Sequence, residues 1–147
     1  MLRMAIGLGL AAALTSGAQA QVNTQDIKWG PGPASLPSGA QMAVLSGDPG
    51  GTGMFVIRAR LPAGYKIAPH HHPTTEYVTV LSGDLHLAMG DKFDTSRGAG
   101  LAPCGFAAAE AMMNHYAWTT SGAEIQVQAQ GPFQVIYVNP ADDPSRR

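Results

Sequence analysis

The strongest constraint on the fold of this chain is the spacing of two histidines and a carboxylate between two glycines. One residue separates His70 from His72, and three residues separate His72 from Glu76. Gly64 precedes this group and Gly83 follows it. Two neutral imidazoles and one carboxylate are ligands that suit a divalent transition metal. The segment therefore predicts a metal site.

The local conformation expected here brings these three side chains together. Alternate side chains of an extended strand share a face, so His70 and His72 point to one side and His71 to the other. Pro73 interrupts the strand because it has no backbone N–H to donate. A short turn then returns Glu76, at the start of the next strand, to the two histidines. The pattern predicts three ligands, and a fourth is expected from elsewhere in the chain.

The segment from Gly64 to Gly83 matches the first motif of the cupin superfamily, G-x5-H-x-H-x3-E-x6-G, at every fixed position. The chain therefore resembles a small single-domain cupin with the type-2 conserved barrel. The resemblance implies an all-β fold, a jelly-roll barrel, that holds one divalent transition metal (Fe, Mn, Ni, Cu, Co or Zn). It also implies a homodimer that associates through sheet edges.

The second cupin motif, G-x5-P-x-G-x2-H-x3-N, supplies the last histidine, and it aligns here with His115. Cys104 stands where the motif has its first glycine, Glu110 where it has proline, and Met112 where it has its second glycine. Proline presets one backbone angle and glycine allows a left-handed conformation, whereas Glu110 and Met112 do neither. We therefore expect His115 to join His70, His72 and Glu76 as a metal ligand, and to be a looser or shifted ligand than the motif's histidine.

Two of these altered positions have interpretations of their own. Glu110 is interpreted as a solvated loop residue, with the alternative that its carboxylate competes for the metal. Cys104, the single cysteine, is interpreted as a small buried hydrophobe, with a redox or metal role as the alternative.

Residues 1–20 have the pattern of a cleavable signal peptide. Arg3 supplies a positive start, residues 5–14 are apolar, and Ala18 and Ala20 are small residues at signal-peptidase positions. We expect cleavage after Ala20 and a periplasmic or secreted protein. The apolar run is shorter than the about 20 residues that span a bilayer, so no stable membrane anchor is expected.

The charge of the chain bears on its partners. Charged residues make up 13% of the sequence, and the formal net charge is -1. A nucleic-acid partner is not expected, because no basic surface is indicated. The expected partner is a small-molecule ligand or substrate.

The remaining sequence predicts one β domain. The Gly- and Pro-rich residues 21–39 predict an irregular N-terminal arm, residues 40–139 the cupin barrel domain, and residues 140–147 a flexible tail. Apolar alternation between turn residues predicts about eight or nine strands and no long helix. The segments expected as strands are 41–45, 54–61, 77–81, 85–89, 115–120, 124–130 and 133–139.

Two local details follow from this pattern. Residues 82–84 (Ser-Gly-Asp) are a tight-turn signal, so segments 77–81 and 85–89 are expected to pair as a hairpin. His86 alternates with Leu85 and Leu87, so it is expected to face away from the core.

The expected ligand set allows two classes of function. In the first, an exported metal-dependent enzyme of dioxygenase-, decarboxylase- or isomerase-like type acts on a small oxygenated molecule, with Glu76 as the candidate base. In the alternative, a non-catalytic cupin binds a metal or a small ligand, for example as a sensor. The first hypothesis is an oxidoreductase of the dioxygenase type, and the sequence leaves the choice open.

Overall fold

A computed structural model describes residues 21–147 of the chain, and the predicted signal peptide, residues 1–20, lies outside these residues. The described part contains eleven strands and three 3-10 helices, at Thr24–Asp26, Pro140–Asp142 and Pro144–Arg146. The strands are β1 (Gly30–Pro31), β2 (Gln41–Ser46), β3 (Met54–Leu61), β4 (Lys66–His71), β5 (Glu76–Gly83), β6 (Leu85–Met89), β7 (Ala99–Leu101), β8 (Phe106–Ala109), β9 (His115–Trp118), β10 (Ala123–Gln130) and β11 (Ile136–Tyr137).

The strands form two antiparallel sheets that enclose the core. The six-stranded sheet has the order β1-β2-β3-β10-β5-β8, and the five-stranded sheet has the order β11-β4-β9-β6-β7. The predicted all-β jelly-roll barrel is confirmed. Within residues 21–147, no helix is long and apolar enough to cross a membrane.

The core lies between the sheets and follows the two-residue period of the strands. On the outer face of β3, Arg60 Nε donates to Glu124 Oε2 of β10 at 2.9 Å. On both strands, the residues that alternate with these outward-facing side chains are buried, as the sequence predicted. Those of β3 are Phe55, Ile57, Ala59 and Leu61, and those of β10 are Ile125, Val127 and Ala129.

The predicted hairpin of residues 77–81 and 85–89 is wrong, because its two strands belong to different sheets. Gly83, at φ 77°, packs so closely that a Cβ there would lie 1.9 Å from the Gly122 oxygen. The Asp84 carboxylate accepts the N–H groups of Thr120 at 2.9 Å and Ser121 at 2.7 Å. These contacts hold Gly83 and Asp84 at the point where the chain passes from the six-stranded sheet to the five-stranded sheet, so these residues form a corner of the barrel.

The two ends of the described chain contain more regular structure than the sequence predicted. The arm includes β1, which pairs with β2. Residues 140–147, predicted as a flexible tail, form two 3-10 helices whose first N–H groups are capped by the side chains of Asn139 and Asp143. By contrast, only Ile136–Tyr137 of the predicted strand 133–139 is a strand.

Two tyrosines attach the arm to the barrel. The Tyr65 hydroxyl donates to the Pro37 carbonyl oxygen, and the Tyr137 hydroxyl donates to the Ser35 carbonyl oxygen at 2.7 Å. Burial raises the pKa of Tyr137 to about 12, so its hydroxyl keeps the donated proton at neutral pH. The arm is thereby held as a wall of the cavity inside the barrel.

Candidate metal centre

The structure brings the four predicted site residues to one end of the barrel cavity. His70 lies on β4, His72 directly follows it, Glu76 begins β5, and His115 begins β9. His70 and His115 are direct partners across the β4–β9 pair. One ligand atom from each of the three histidines lies within 4.8 Å of the other two. The sites of the two sequence motifs therefore meet in one cluster.

A β-bulge in β4 aims His70 into this cluster. Ile67 pairs with Ala117 and His70 pairs with His115, so β4 has one more residue than β9 over this stretch. His70 comes three positions after Ile67, so a regular strand would place the two side chains on opposite faces, yet both line the cavity. The extra residue resets the alternation of side chains, which makes this possible. Pro69 lies in the bulge, where a residue without an N–H donor is tolerated.

Backbone carbonyl groups set the tautomer of all three histidines. Each ring has its Nδ1 within hydrogen-bond distance of a carbonyl oxygen, which only accepts, so Nδ1 carries the proton. Each Nε2 therefore has a free lone pair. The carbonyl contacts also fix the orientation of each ring, as the hydrogen-bond partners of metal-bound histidines do. The contacts are His70 to Ala68 at 2.7 Å, His72 to Gln134 at 2.7 Å and His115 to Met113 at 2.9 Å.

The free nitrogens face a carboxylate at distances that suit a common cation. Nε2 of His72 and Nε2 of His115 are buried and have no hydrogen-bond partner among residues 21–147. Glu76 Oε2 lies 3.5 Å from the first and 3.7 Å from the second. Ligand atoms about 2.0–2.2 Å from one ion are roughly 3–4 Å apart, so the cluster fits a divalent transition metal.

The electrostatics of the cluster place an ionised carboxylate, Glu76, beside a neutral imidazole, His70. Burial, followed by the neighbouring His115 and His72, lowers the pKa of His70 to about 3, so its ring is neutral at pH 7. Burial opposes ionisation of Glu76, but the close contacts with His115 and His72 outweigh it and hold the carboxyl pKa below its usual range. For His72, burial by itself lowers the pKa of the imidazole. The contacts with Glu76 raise this pKa by more, so its net shift is upward.

The altered second motif keeps its turn without glycine. Met112 adopts φ 62° and Cys104 adopts φ 69°, both left-handed, at the two positions where the motif has glycine. The Met112 N–H donates to the His72 carbonyl oxygen at 2.8 Å, which attaches the turn to the strand segment of the first motif. Glu110 is exposed and lies outside the histidine cluster.

The expectation that Cys104 is buried is wrong, since its side chain is exposed. The reason is its place in the left-handed turn before β8, which lies at the surface rather than between the sheets.

Two other histidines point away from the cluster. His71 Nδ1 lies 2.9 Å from Asn114 Oδ1, on the opposite side of β4 from His70. His86 stacks on Trp118 with the ring centroids 4.8 Å apart, outside the main core, as the alternation in β6 predicted.

One aromatic residue of the site was missed by sequence reasoning. Phe133 stacks on His72, with ring centroids 4.5 Å apart and planes 22° apart, and lines the cavity. The carbonyl oxygens that hold the histidine rings were missed too, because a backbone acceptor leaves no mark in the amino-acid type. Phe133 itself was predicted only as part of the strand 133–139, because an apolar side chain does not show that it lines a site.

The sequence matches the ChrR cupin-like domain family over residues 17–129. The chain belongs to this family. The cupin resemblance predicted from the first motif is thereby confirmed. Among curated proteins, none matches the sequence significantly.

Solved structures with the same fold have diverse names. The polyketide cyclase RemF from Streptomyces resistomycificus is 19% identical, with a TM-score of 0.69, over 87% of this chain and 91% of that one. A putative acetylacetone dioxygenase from Methylibium petroleiphilum PM1 is 19% identical, with a TM-score of 0.65, over 98% and 90%. KdgF from Halomonas sp. is 13% identical, with a TM-score of 0.56, over 74% and 91%. At these identities the likeness shows the fold alone.

Proposed function

We propose that this protein holds one divalent transition metal through His70, His72, Glu76 and His115 and acts as an enzyme on a small oxygenated molecule. The observation that carries the proposal is the pair of buried, unpartnered Nε2 atoms of His72 and His115 beside the Glu76 carboxylate. Buried polar atoms without partners cost about 1–3 kcal/mol each, and a shared cation removes that cost. Fe, Mn, Ni, Cu, Co and Zn all accept this ligand set.

The chain's own residues give the site its chemical character. A bound divalent metal supplies Lewis-acid polarisation of a coordinated oxygen. The three carbonyl acceptors keep the imidazoles oriented, so the site needs little rearrangement when it is loaded. Glu76 is first a ligand, because its low pKa makes it a weak base while both histidines contact it. Once released from those contacts, its carboxylate can accept a proton from a bound enol or diol.

The reaction type is a further part of the proposal. The similar structures bear the names of a cyclase, a putative dioxygenase and KdgF, so the fold accepts several chemistries. We favour dioxygenase-like chemistry, with decarboxylase- or isomerase-like chemistry as further classes within the same proposal. A non-catalytic sensor cupin is an outcome that the test below distinguishes.

The test compares one histidine on β9 with one on its partner strand β4. His115→Ala is expected to lower metal affinity by more than the ~10–100-fold that loss of an outer partner costs, because it removes a ligand. His71→Ala, whose ring contacts Asn114 outside the cluster, is expected to keep the wild-type metal content. Metal content is measured by elemental analysis, and turnover by oxygen uptake with small diols and enols. Equal metal content in the two variants would refute the assignment, and bound metal without any turnover would favour the sensor.

We also propose export and self-association. Mature protein recovered outside the cytoplasm should begin at Gln21, which intact-mass measurement checks.

A homodimer is supported by β8, the last strand of the six-stranded sheet, beside which Tyr77 and Phe106 are exposed, with their stacked rings 6.3 Å apart between centroids. Sedimentation should show twice the chain mass, and Phe106→Asp should shift it to the monomer. A monomeric wild type contradicts this proposal.

A further inference from the structure

The walls of the cavity beyond the histidine cluster are almost entirely aliphatic. The cavity has a volume of about 160 Å³ and lies between the two sheets. The cluster of His70, His72, Glu76 and His115 occupies its polar end. Branched aliphatic side chains from both sheets are prominent among the remaining lining residues, together with smaller apolar ones. Representative wall residues are Ile57, Leu61, Val78, Leu85, Ile125 and Val127.

The walls also lack groups that recognise charge. Among the described residues that line the cavity, none is lysine, arginine or aspartate, and Glu76 is the one acidic side chain. Beyond the cluster, the polar side chains of the wall are those of Ser35 and Gln41. A charged group placed against this wall would lose its hydration without gaining a partner, which weakens its binding. Sugars would leave several hydroxyl groups unpaired for the same reason.

The volume of the cavity limits the size of the ligand. An apolar protein cavity of about 150 Å³ is large enough to accept benzene. The arm closes this cavity on one side with Gly32, Pro33 and Leu36, and the hydroxyl groups of Tyr65 and Tyr137 hold the arm in place. A ligand much larger than benzene therefore displaces the arm before it fits.

We propose that the substrate is a small molecule with one oxygen-donor head and an uncharged, apolar body of about the size of a benzene ring. This inference rests on the proposed function, because the oxygen head takes its place at the metal cluster. The body lies against the aliphatic wall. Dicarboxylates are excluded as substrates, since they carry a second charged group that the wall does not pair. Phosphorylated sugars and uronates are excluded because the wall leaves their hydroxyl groups without partners.

The first experiment tests the apolar wall by itself. Benzene, which has no oxygen donor, is titrated into the purified protein, and the methyl resonances of Ile57 and Val127 are followed by NMR. We expect saturable shifts of these methyl groups. Ala59→Leu fills part of the cavity and should abolish the shifts, whereas Ala108→Leu, at an exposed position of β8, should preserve them. If Ala59→Leu does not fold, Val127→Leu provides the smaller filling change, with Ile57 as the reporter.

The second experiment tests the charge of the body with a matched pair of ligands. 4-Methylcatechol and 3,4-dihydroxybenzoate share the diol head and differ by a methyl group in place of a carboxylate. Calorimetry on the metal-loaded protein should give roughly tenfold or more tighter binding of the methyl compound, because the wall does not pair a carboxylate. Equal or tighter binding of the carboxylate overturns the inference, and so does the absence of saturable benzene binding. Benzene binding without binding of either catechol overturns the proposed metal function and supports the apolar cavity.

Discussion

The left-handed turn at Met112 should store backbone strain that a glycine removes. Met112 adopts φ 62° and its side chain is 61% exposed, so little buried surface is lost when the side chain is deleted. A left-handed conformation costs a residue with a Cβ about 1–2 kcal/mol. Glycine in turn loses about 0.5–1 kcal/mol more conformational entropy on folding. Met112→Gly should therefore stabilise the protein by about 0.5–1 kcal/mol.

Met113→Gly is the matched control for this prediction. Met113 is the adjacent residue, is 42% exposed, and is outside the set of residues with positive φ. The same substitution should there destabilise the protein by at least about 0.5–1 kcal/mol, because the entropic cost applies without relief of strain and a partly buried side chain is lost. Both variants are unfolded by urea in the presence of a chelator, so that metal binding does not contribute to the free energy of unfolding. Destabilisation of equal size in the two variants would show that Met112 carries no left-handed strain.

Two further predictions concern the barrel corner and the acid response. Gly83→Ala should lower the free energy of unfolding by more than the ~1–2 kcal/mol of its left-handed φ, because the new Cβ meets the Gly122 oxygen. Gly53→Ala, with nothing within 4 Å of its Cβ, should change it by less than about 0.5 kcal/mol, and equal effects in urea unfolding contradict the corner. His70 has a folded pKa of about 3 against an ordinary value of 6.5, so its contribution to stability is present above pH 6.5 and is lost as the pH falls towards 3. In chelator-treated protein, His70→Gln should reduce the slope of stability against pH over that window by up to about 1.4 kcal/mol per pH unit, and an unchanged slope contradicts it.

Much of the strand content could be predicted because a strand that is buried on one face shows alternating apolar and polar residues in the sequence. The alternation of Phe55, Ile57, Ala59 and Leu61 predicted β3 with the bounds that the structure has. Segment 133–139 was predicted less well, because Phe133 turns inward onto His72 from a loop. An apolar residue that packs from a loop gives the same local signal as one in a strand.

The hairpin error shows the limit of turn signals. The residues around Gly83 connect the same two strands in the prediction and in the structure, but the direction of the chain beyond them differs, because β6 belongs to the other sheet. Gly122 and the N–H groups bound by Asp84 decide that direction, and they are distant in sequence. A turn signal reports local backbone angles and carries no information on such partners.

The sequence by itself determined which side-chain types meet in the candidate site, the alternation that places His70 and His72 on one side of the chain, and the membership of the barrel fold. The spacing of His70, His72 and Glu76 is sufficient for this because alternation along a strand is a local property. Only the tertiary structure decided that His115 lies opposite His70, through a bulge in β4 and a turn that Met112 completes without glycine. It also decided which carbonyl oxygens hold the rings and how the arm encloses an aliphatic cavity. These features depend on register and packing between segments far apart in the chain, which no local pattern specifies.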